Sequence, residues 1–169
     1  LQQGAEAIVV TASGCGAMLK EYGDLLAEDP VYADKARQVA ERCKDIGEIL
    51  AAETLPKPTS TARPRVAFHS PCTLQHGQQL DGVVESVLRA AGFELLPFSD
   101  GHLCCGSAGT YSILQPELSQ RLLHNKLDAL QHPQPDVIAT ANIGCQLHLA
   151  SASKVPVRHW IELLDERLD

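Results

Sequence analysis

Aromatic residues are scarce in this chain of 169 residues, which has one Trp, three Tyr and three Phe. Because 44% of the residues are still hydrophobic, the core must be mainly aliphatic, and this favours helices packed on a sheet over an aromatic-rich β-sandwich. Basic residues are few as well: the 14 Lys and Arg are scattered along a chain of net charge −7. A nucleic-acid partner is therefore not expected.

Long apolar runs are also absent from the sequence. None approaches the roughly 20 residues that a membrane span requires, and the start at Leu1–Gly4 lacks the basic residues and apolar region of a signal peptide. We therefore expect a reducing, cytoplasmic setting. Since the chain does not begin with Met, we also expect it to be a piece of a longer protein.

Six cysteines are present, and their arrangement argues against disulfides. Cys104 and Cys105 are neighbours in the sequence, so their Cα atoms lie about 3.8 Å apart across a trans peptide. Ordinary disulfides need a wider separation. Reduced thiols that bind metal or carry redox chemistry are the better interpretation.

Three regions are predicted along the chain. Residues 1–28 show the pattern of a short strand, a turn and a helix from about Ala17. Residues 29–64 are predicted to form one long helix to about residue 54, followed by a proline-rich linker that contains a domain boundary. Residues 65–169 alternate strand and helix, which predicts an α/β fold with a mostly parallel sheet and helices on both faces.

The alternating region has a simple predicted order. Its strands are expected at 66–68, 93–98, 137–140 and 155–158, and its helices at 82–91, 116–130, from about 144, and at 160–168.

One segment of the sequence repeats. Ala5–Cys15 echoes Pro135–Cys145: in both, an apolar strand ends in Thr-Ala, a turn of small residues follows, and Gly-Cys opens a helix. The two cysteines are 130 positions apart, which is the length of a domain. We therefore predict that residues 1–28 are the C-terminal remnant of a first copy of the domain at 65–169.

Four cysteines follow the predicted strands of the alternating region. Cys72 follows the first strand, Cys104 and Cys105 the second, and Cys145 the third. Because the carboxyl ends of parallel strands meet at one edge of a sheet, all four thiols are expected to meet there. At the N-terminus of a helix, Cys145 would also favour the thiolate form that binds metal.

The residues leave three kinds of site open. Thiolate-rich sites select zinc, Cu(I) or iron–sulfur clusters, and structural zinc usually takes Cys-x2-Cys pairs. The adjacent Cys104 and Cys105 suit two irons of a cluster better than two corners of one ion, so an iron–sulfur cluster is favoured and a structural zinc module is the alternative. A catalytic thiol, with Cys104 as nucleophile and His102 as base, leaves Cys72 and Cys145 unexplained.

These cysteines also carry a family resemblance. The spacing Cys72-x31-Cys104-Cys105-Gly-x38-Cys145 resembles the cysteine-rich CCG domain family of the heterodisulfide reductase type. Residues 69–78, 103–110, 141–145 and 159–163 look more closely like the glycolate oxidase iron–sulfur subunit family. The likeness covers essentially all of 65–169, with 1–28 as the end of a preceding CCG copy.

The resemblance implies a redox function. It implies an iron–sulfur cluster, of the 4Fe-4S type, bound by the four cysteines. In that family the subunit relays electrons from flavin-containing subunits, which oxidise a 2-hydroxy acid such as glycolate, towards a membrane acceptor. It also implies a ferredoxin-like portion before the CCG domains, absent here, and at most peripheral contact with the inner face of the cell membrane.

The sequence departs from the family pattern at one position. That pattern ends in Cys-x2-Cys, but His148 stands three residues after Cys145, and Met18 stands at the same offset after Cys15. Imidazole is a workable ligand, so His148 is a further candidate. His69 and His76 flank Cys72 and could be ligands or proton carriers, but the favoured interpretation is that they orient the loop as hydrogen-bond partners. Cys43 is interpreted as a buried structural thiol.

Overall fold

The computed structural model describes residues 4–168 and has an α/β architecture. Its strands are β1 (Ile8–Val10), β2 (Cys43–Asp45), β3 (Arg65–His69), β4 (Glu94–Leu95), β5 (Val137–Thr140) and β6 (Val157–His159). Its helices are α1 (Ser13–Lys20), α2 (Tyr22–Leu25), α3 (Ala33–Arg42), α4 (Ile46–Ala52), α5 (Val83–Ala90), α6 (Tyr111–Leu114), α7 (Pro116–Gln131), α8 (Ile143–Ala150) and α9 (Trp160–Leu168), with a π-helical turn at Thr73–Gly77.

The strands form two parallel sheets. A four-stranded sheet has the order β4-β3-β5-β6, and β1 pairs with β2 in a smaller sheet. The main sheet is covered on both faces: α5 and α9 pack on one side, and α7 and α8 on the other. Strand β5 is buried at every residue, as a central parallel strand should be. The predicted parallel sheet with helices on both faces is confirmed.

The prediction of one long helix at 29–54 is wrong. The chain leaves the helix at Cys43, which pairs in parallel register with Ile8, and resumes it only at α4. Asp45 and Glu48 form a capping box at the start of α4. The Asp-x-x-Glu spacing is the sequence signature of that box, and it marks the interruption.

Other predicted elements differ from the structure mainly in their bounds. The helix predicted from Ala17 already begins at Ser13, so the small-residue turn is its first turn. The strand predicted at 93–98 is reduced to the two residues of β4 at the edge of the sheet. Residues 53–64, which include the proline-rich segment, contain neither helix nor strand.

The small sheet repeats the register of part of the main sheet. Ile8 pairs with Cys43 as Ile138 pairs with Val157, and the next two pairs follow in step. Ile8 and Ile138 are 130 positions apart, the offset seen between Ala5–Cys15 and its echo. Strand β2 therefore lies beside β1 in the same register in which β6 lies beside β5.

The helices after these paired strands also begin alike. The backbone N–H of Asp45 donates to the Glu48 carboxylate at 2.8 Å, and the N–H of His159 donates to Glu162 at 3.2 Å. The repeated structure thus includes β2 and α4. The assignment of 1–28 to a first domain copy stays a prediction.

The small sheet is held against the main one by hydrogen bonds at the start of α1. The Ser13 N–H donates to the Ala141 carbonyl at 3.0 Å, and Ser13 Oγ lies 2.8 Å from Thr73 Oγ1. The buried Gln78 side chain donates to the Ser13 carbonyl at 3.0 Å. These contacts place α1 beside the carboxyl edge of the main sheet.

Candidate metal centre

The four cysteines predicted as ligands lie in the segments that follow the strands at the carboxyl edge of the main sheet. Cys72 follows β3, and Cys145 lies in the first turn of α8, after β5. Cys104 and Cys105 lie in the loop that leaves β4. Because β4, β3 and β5 are adjacent and parallel, their carboxyl ends meet where open α/β sheets bind ligands.

The four thiols interact in the order Cys72, Cys104, Cys105, Cys145. Hydrogen bonding from Cys105 and Cys72 lowers the pKa of Cys104. Interaction with Cys105, and then with the nearby His69 ring, lowers the pKa of Cys145 to about 5. The pKa values of Cys72 and Cys105 are raised, because each is hydrogen-bonded to a neighbouring thiolate and is also desolvated. The lowered pKa values of Cys104 and Cys145 favour the thiolate, the form that binds metals.

A histidine joins this group of thiols. The ligand atoms of His69, Cys105 and Cys145 all lie within 4.8 Å of one another, and the three side chains are buried. Side chains alternate between the faces of a strand: in β3, Phe68 belongs to the core under α5 and α9, and Ala67 to the opposite core, which contains both cysteines. His69 therefore faces the cysteines. The sequence had favoured a loop-orienting role for it.

His148, the other candidate ligand, lies behind the cysteine loop. Its Nε2 is 3.3 Å from Ser119 Oγ, and that hydroxyl donates to the Gly106 carbonyl at 2.8 Å. Gly106 has φ +93°, and a Cβ there would lie 2.5 Å from the Ser119 carbonyl oxygen, so the backbone requires glycine. His148 thus supports the loop. The close group of ligand atoms found within residues 4–168 does not include it.

A buried cation lies beside the thiols. Lys126, on α7, is 2% exposed, and its Nζ donates to the backbone carbonyls of Asp100 at 2.7 Å and Gly101 at 3.3 Å. Desolvation lowers the pKa of Lys126, whereas the nearby thiol groups, Cys72 first, act to raise it. Lys126 therefore holds the loop that leads to the paired cysteines and brings positive charge close to them. The sequence analysis did not identify this residue.

The remaining singled-out residues lie outside this group. His76 and His102 are exposed. Cys15 is exposed in the first turn of α1. Cys43 is buried, as predicted, but in β2 rather than on a helix, with its Sγ 3.9 Å from the Gly16 carbonyl oxygen.

The segment that carries the four cysteines matches a known protein family. The profile of the cysteine-rich domain named CCG matches residues 66–150, a range that contains all four interacting cysteines and His69. The chain belongs to the CCG cysteine-rich domain family. This CCG domain contains the adjacent Cys104 and Cys105 followed by Gly106.

Relatives of this CCG chain come from several bacteria. The glycolate oxidase iron–sulfur subunit of Escherichia coli K12 is 54% identical over 169 residues, which is all of this chain and 42% of that protein. The probable glycolate oxidase iron–sulfur subunit of Bacillus subtilis 168 is 29% identical over 171 residues, or 95% of this chain and 38% of its own length. Lactate utilization protein A of Geobacillus thermodenitrificans NG80-2 is 29% identical over 170 residues, or 94% of this chain and 70% of its own.

The resemblance seen in the sequence is thereby confirmed. This CCG chain is a homologue of the glycolate oxidase iron–sulfur subunit, and it spans less than half the length of the E. coli relative. Among residues 4–168, none of the helices combines the length and the apolar character that a bilayer crossing requires.

Proposed function

We propose that this chain is part of an electron-transfer iron–sulfur subunit in a glycolate-oxidase-like complex, with its cluster bound by Cys72, Cys104, Cys105 and Cys145. The convergence of these four cysteines, two of them buried, at one edge of the sheet carries the proposal. Its second support is the name of the E. coli relative, which is an iron–sulfur subunit.

The residues at this edge fit such a group. The donors are soft thiols, two of which have lowered pKa values, and soft thiolates suit iron–sulfur clusters and zinc. Neither ring nitrogen of the buried His69 makes a hydrogen bond of good geometry within the described residues, and a buried polar group without such a bond calls for an explanation, which a metal ligand role would supply. When bound, an iron–sulfur cluster of the 4Fe-4S type would accept and release single electrons.

The protein groups around the thiols have separate tasks in this proposal. The burial of Cys105 and Cys145 excludes water from the sulfur atoms, and the positive charge of Lys126 offsets part of the negative charge of the thiolates. Ser119 and His148 hold the backbone at Gly106, so that the paired cysteines keep their orientation.

The finer parts of the proposal rest on the resemblance. They are the flavin-containing partner subunits, glycolate as the oxidised 2-hydroxy acid, and a cytoplasmic position with peripheral contact to the membrane. Lactate is the alternative to glycolate as the substrate proposed for the complex, because the Geobacillus relative is named for lactate utilization.

A structural zinc site is the second candidate, and one observation favours it. Three ligand atoms, from His69, Cys105 and Cys145, lie within 4.8 Å of one another, which is close to the spacing around a single tetrahedral ion. A zinc site would make the CCG domain a binding module rather than an electron carrier.

The proposed function is tested with the full-length protein in complex with its flavin-containing partners. Glycolate or lactate is added without oxygen, and the sample is frozen for EPR spectroscopy. We expect one substrate to generate a reduced-cluster signal that Cys145→Ser removes and that Cys43→Ser, at a buried cysteine outside the thiol group, leaves unchanged. A substrate-generated signal set that is identical in wild type and Cys145→Ser would contradict the proposal.

A further inference from the structure

We propose that His69 binds, through a ring nitrogen, the same metal atom as Cys105 and Cys145. The inference deepens the metal site of the proposed function and rests on it. It assigns the non-cysteine ligand of the centre to the histidine at the end of β3, not to His148, which stands where the family pattern has its last cysteine.

One argument for this ligand is the burial of the His69 side chain. The side chain is 0% exposed, and within residues 4–168 neither ring nitrogen has a hydrogen bond of good geometry. Its close neighbours are the thiols of Cys105 and Cys145. A neutral imidazole has one N–H donor and one acceptor nitrogen, and a buried polar group left unsatisfied destabilises the folded protein. A metal bond to the acceptor nitrogen removes that destabilisation on one side of the ring.

The ligand atoms of His69, Cys105 and Cys145 are also close enough to share one metal atom. Two ligand atoms on one tetrahedral metal at bond lengths of about 2.0–2.3 Å lie about 3.3–3.8 Å apart. The nitrogen of His69 and the sulfurs of Cys105 and Cys145 are all within 4.8 Å of one another. A side-chain adjustment of about 1 Å therefore brings all three onto one metal atom.

His148, in contrast, already has a partner, because its Nε2 contacts Ser119 Oγ. The single hydroxyl hydrogen of Ser119 is donated to the Gly106 carbonyl, so in the 3.3 Å contact between Ser119 Oγ and His148 Nε2 the imidazole is the donor. That nitrogen carries hydrogen and is occupied. Through Nε2, His148 therefore supports the loop, and the close group of ligand atoms found within residues 4–168 does not include it.

The experiment compares the two histidines directly. The protein is produced with 15N-labelled histidine and loaded anaerobically with ferrous iron and sulfide, and pulsed EPR of the reduced cluster measures coupling to nitrogen. We expect a strong histidine nitrogen coupling in wild type and in His148→Gln, and its loss in His69→Gln. In His69→Cys, which offers a sulfur ligand instead, we expect the cluster to form without that coupling.

The wild-type measurement does not depend on whether a variant folds. A wild-type cluster without strong histidine coupling, or a coupling that His148→Gln removes and His69→Gln retains, would overturn this inference alone. Iron and sulfide are assayed in the same samples. A wild-type protein that takes up no sulfide would overturn the proposed iron–sulfur function, and the two failures are thus separated.

Discussion

Replacing Gly106 with alanine should weaken the fold and disturb the cysteine pair at the same time. Gly106 follows Cys105 directly and has φ +93°. A Cβ at this position would lie 2.5 Å from the Ser119 carbonyl oxygen and 3.1 Å from the Leu122 side chain. Because the nearest atom belongs to the backbone of α7, it cannot move aside without shifting the helix.

The expected loss in the free energy of unfolding has two causes. Placing a non-glycine residue in the left-handed region costs about 1–2 kcal/mol. Forcing an extra methyl group into a packed site costs typically about 1–3 kcal/mol more. Gly106→Ala should therefore lower the free energy of unfolding by about 2–5 kcal/mol, a large share of the roughly 5–15 kcal/mol that stabilises a typical domain.

Gly109→Ala is the matched control in the same loop. Gly109 also has positive φ, +59°, but a Cβ there would meet no atom within 4 Å. Only the backbone cost of about 1–2 kcal/mol applies. Urea unfolding of wild type and both variants, followed by circular dichroism with the slopes compared, measures the difference. Equal losses in the two variants would refute the steric argument at Gly106.

Three further predictions concern residues around the site and the small sheet. Ser119→Ala removes the hydroxyl that donates to the buried Gly106 carbonyl and should cost about 1–3 kcal/mol in urea unfolding; an unchanged midpoint would contradict this. Lys126→Met removes a buried positive charge beside the thiols and should lower the reduction potential of the metal-loaded centre in a redox titration. Lys126→Arg keeps the charge and should leave the potential near that of wild type. Equal potentials in the two variants would count against the charge effect. Burial raises the pKa of Asp45 above its ordinary 3.8, so the folded state retains a proton that the unfolded state has lost. The free energy of unfolding of wild type, relative to that of Asp45→Asn, should therefore fall as the pH rises from 3.8 through the raised pKa. A stability difference between the two proteins that does not change with pH would exclude this.

The main sheet could be predicted because its signals are local. Val137–Thr140 is an apolar run between turn residues, and Pro116 marks the first turn of α7, so both elements were placed within a residue of their observed bounds. The cysteines could be assigned to one edge for the same reason. Once the strands are parallel, the loops after them must meet.

The interruption at Cys43–Asp45 could not be predicted from periodicity alone. The apolar residues around it continue a helical spacing from Val39 to Leu50, and the pairing that overrides it involves Ile8, more than thirty residues earlier. Long-range strand pairing of this kind outweighs local helix propensity.

His69 was given a loop-orienting role and Lys126 was missed for a different reason, because the position of each depends on which face of its element it occupies. His69 lies two positions after Ala67 on the face of β3 that meets the cysteines, which follows from strand alternation only if the strand continues to residue 69. Lys126 lies on the apolar stripe of α7 with Leu123 and Leu130. A lysine in such a stripe indicates a buried partner, and here that partner is the loop before the paired cysteines.

The central claim is that the cysteines at the carboxyl edge of the sheet hold an iron–sulfur cluster. The most direct measurement is the content of iron, acid-labile sulfide and zinc per chain in protein purified and kept without oxygen, for wild type and Cys105→Ser. The account predicts iron and sulfide together in wild type and the loss of both in the variant. Stoichiometric zinc without sulfide in wild type would contradict it.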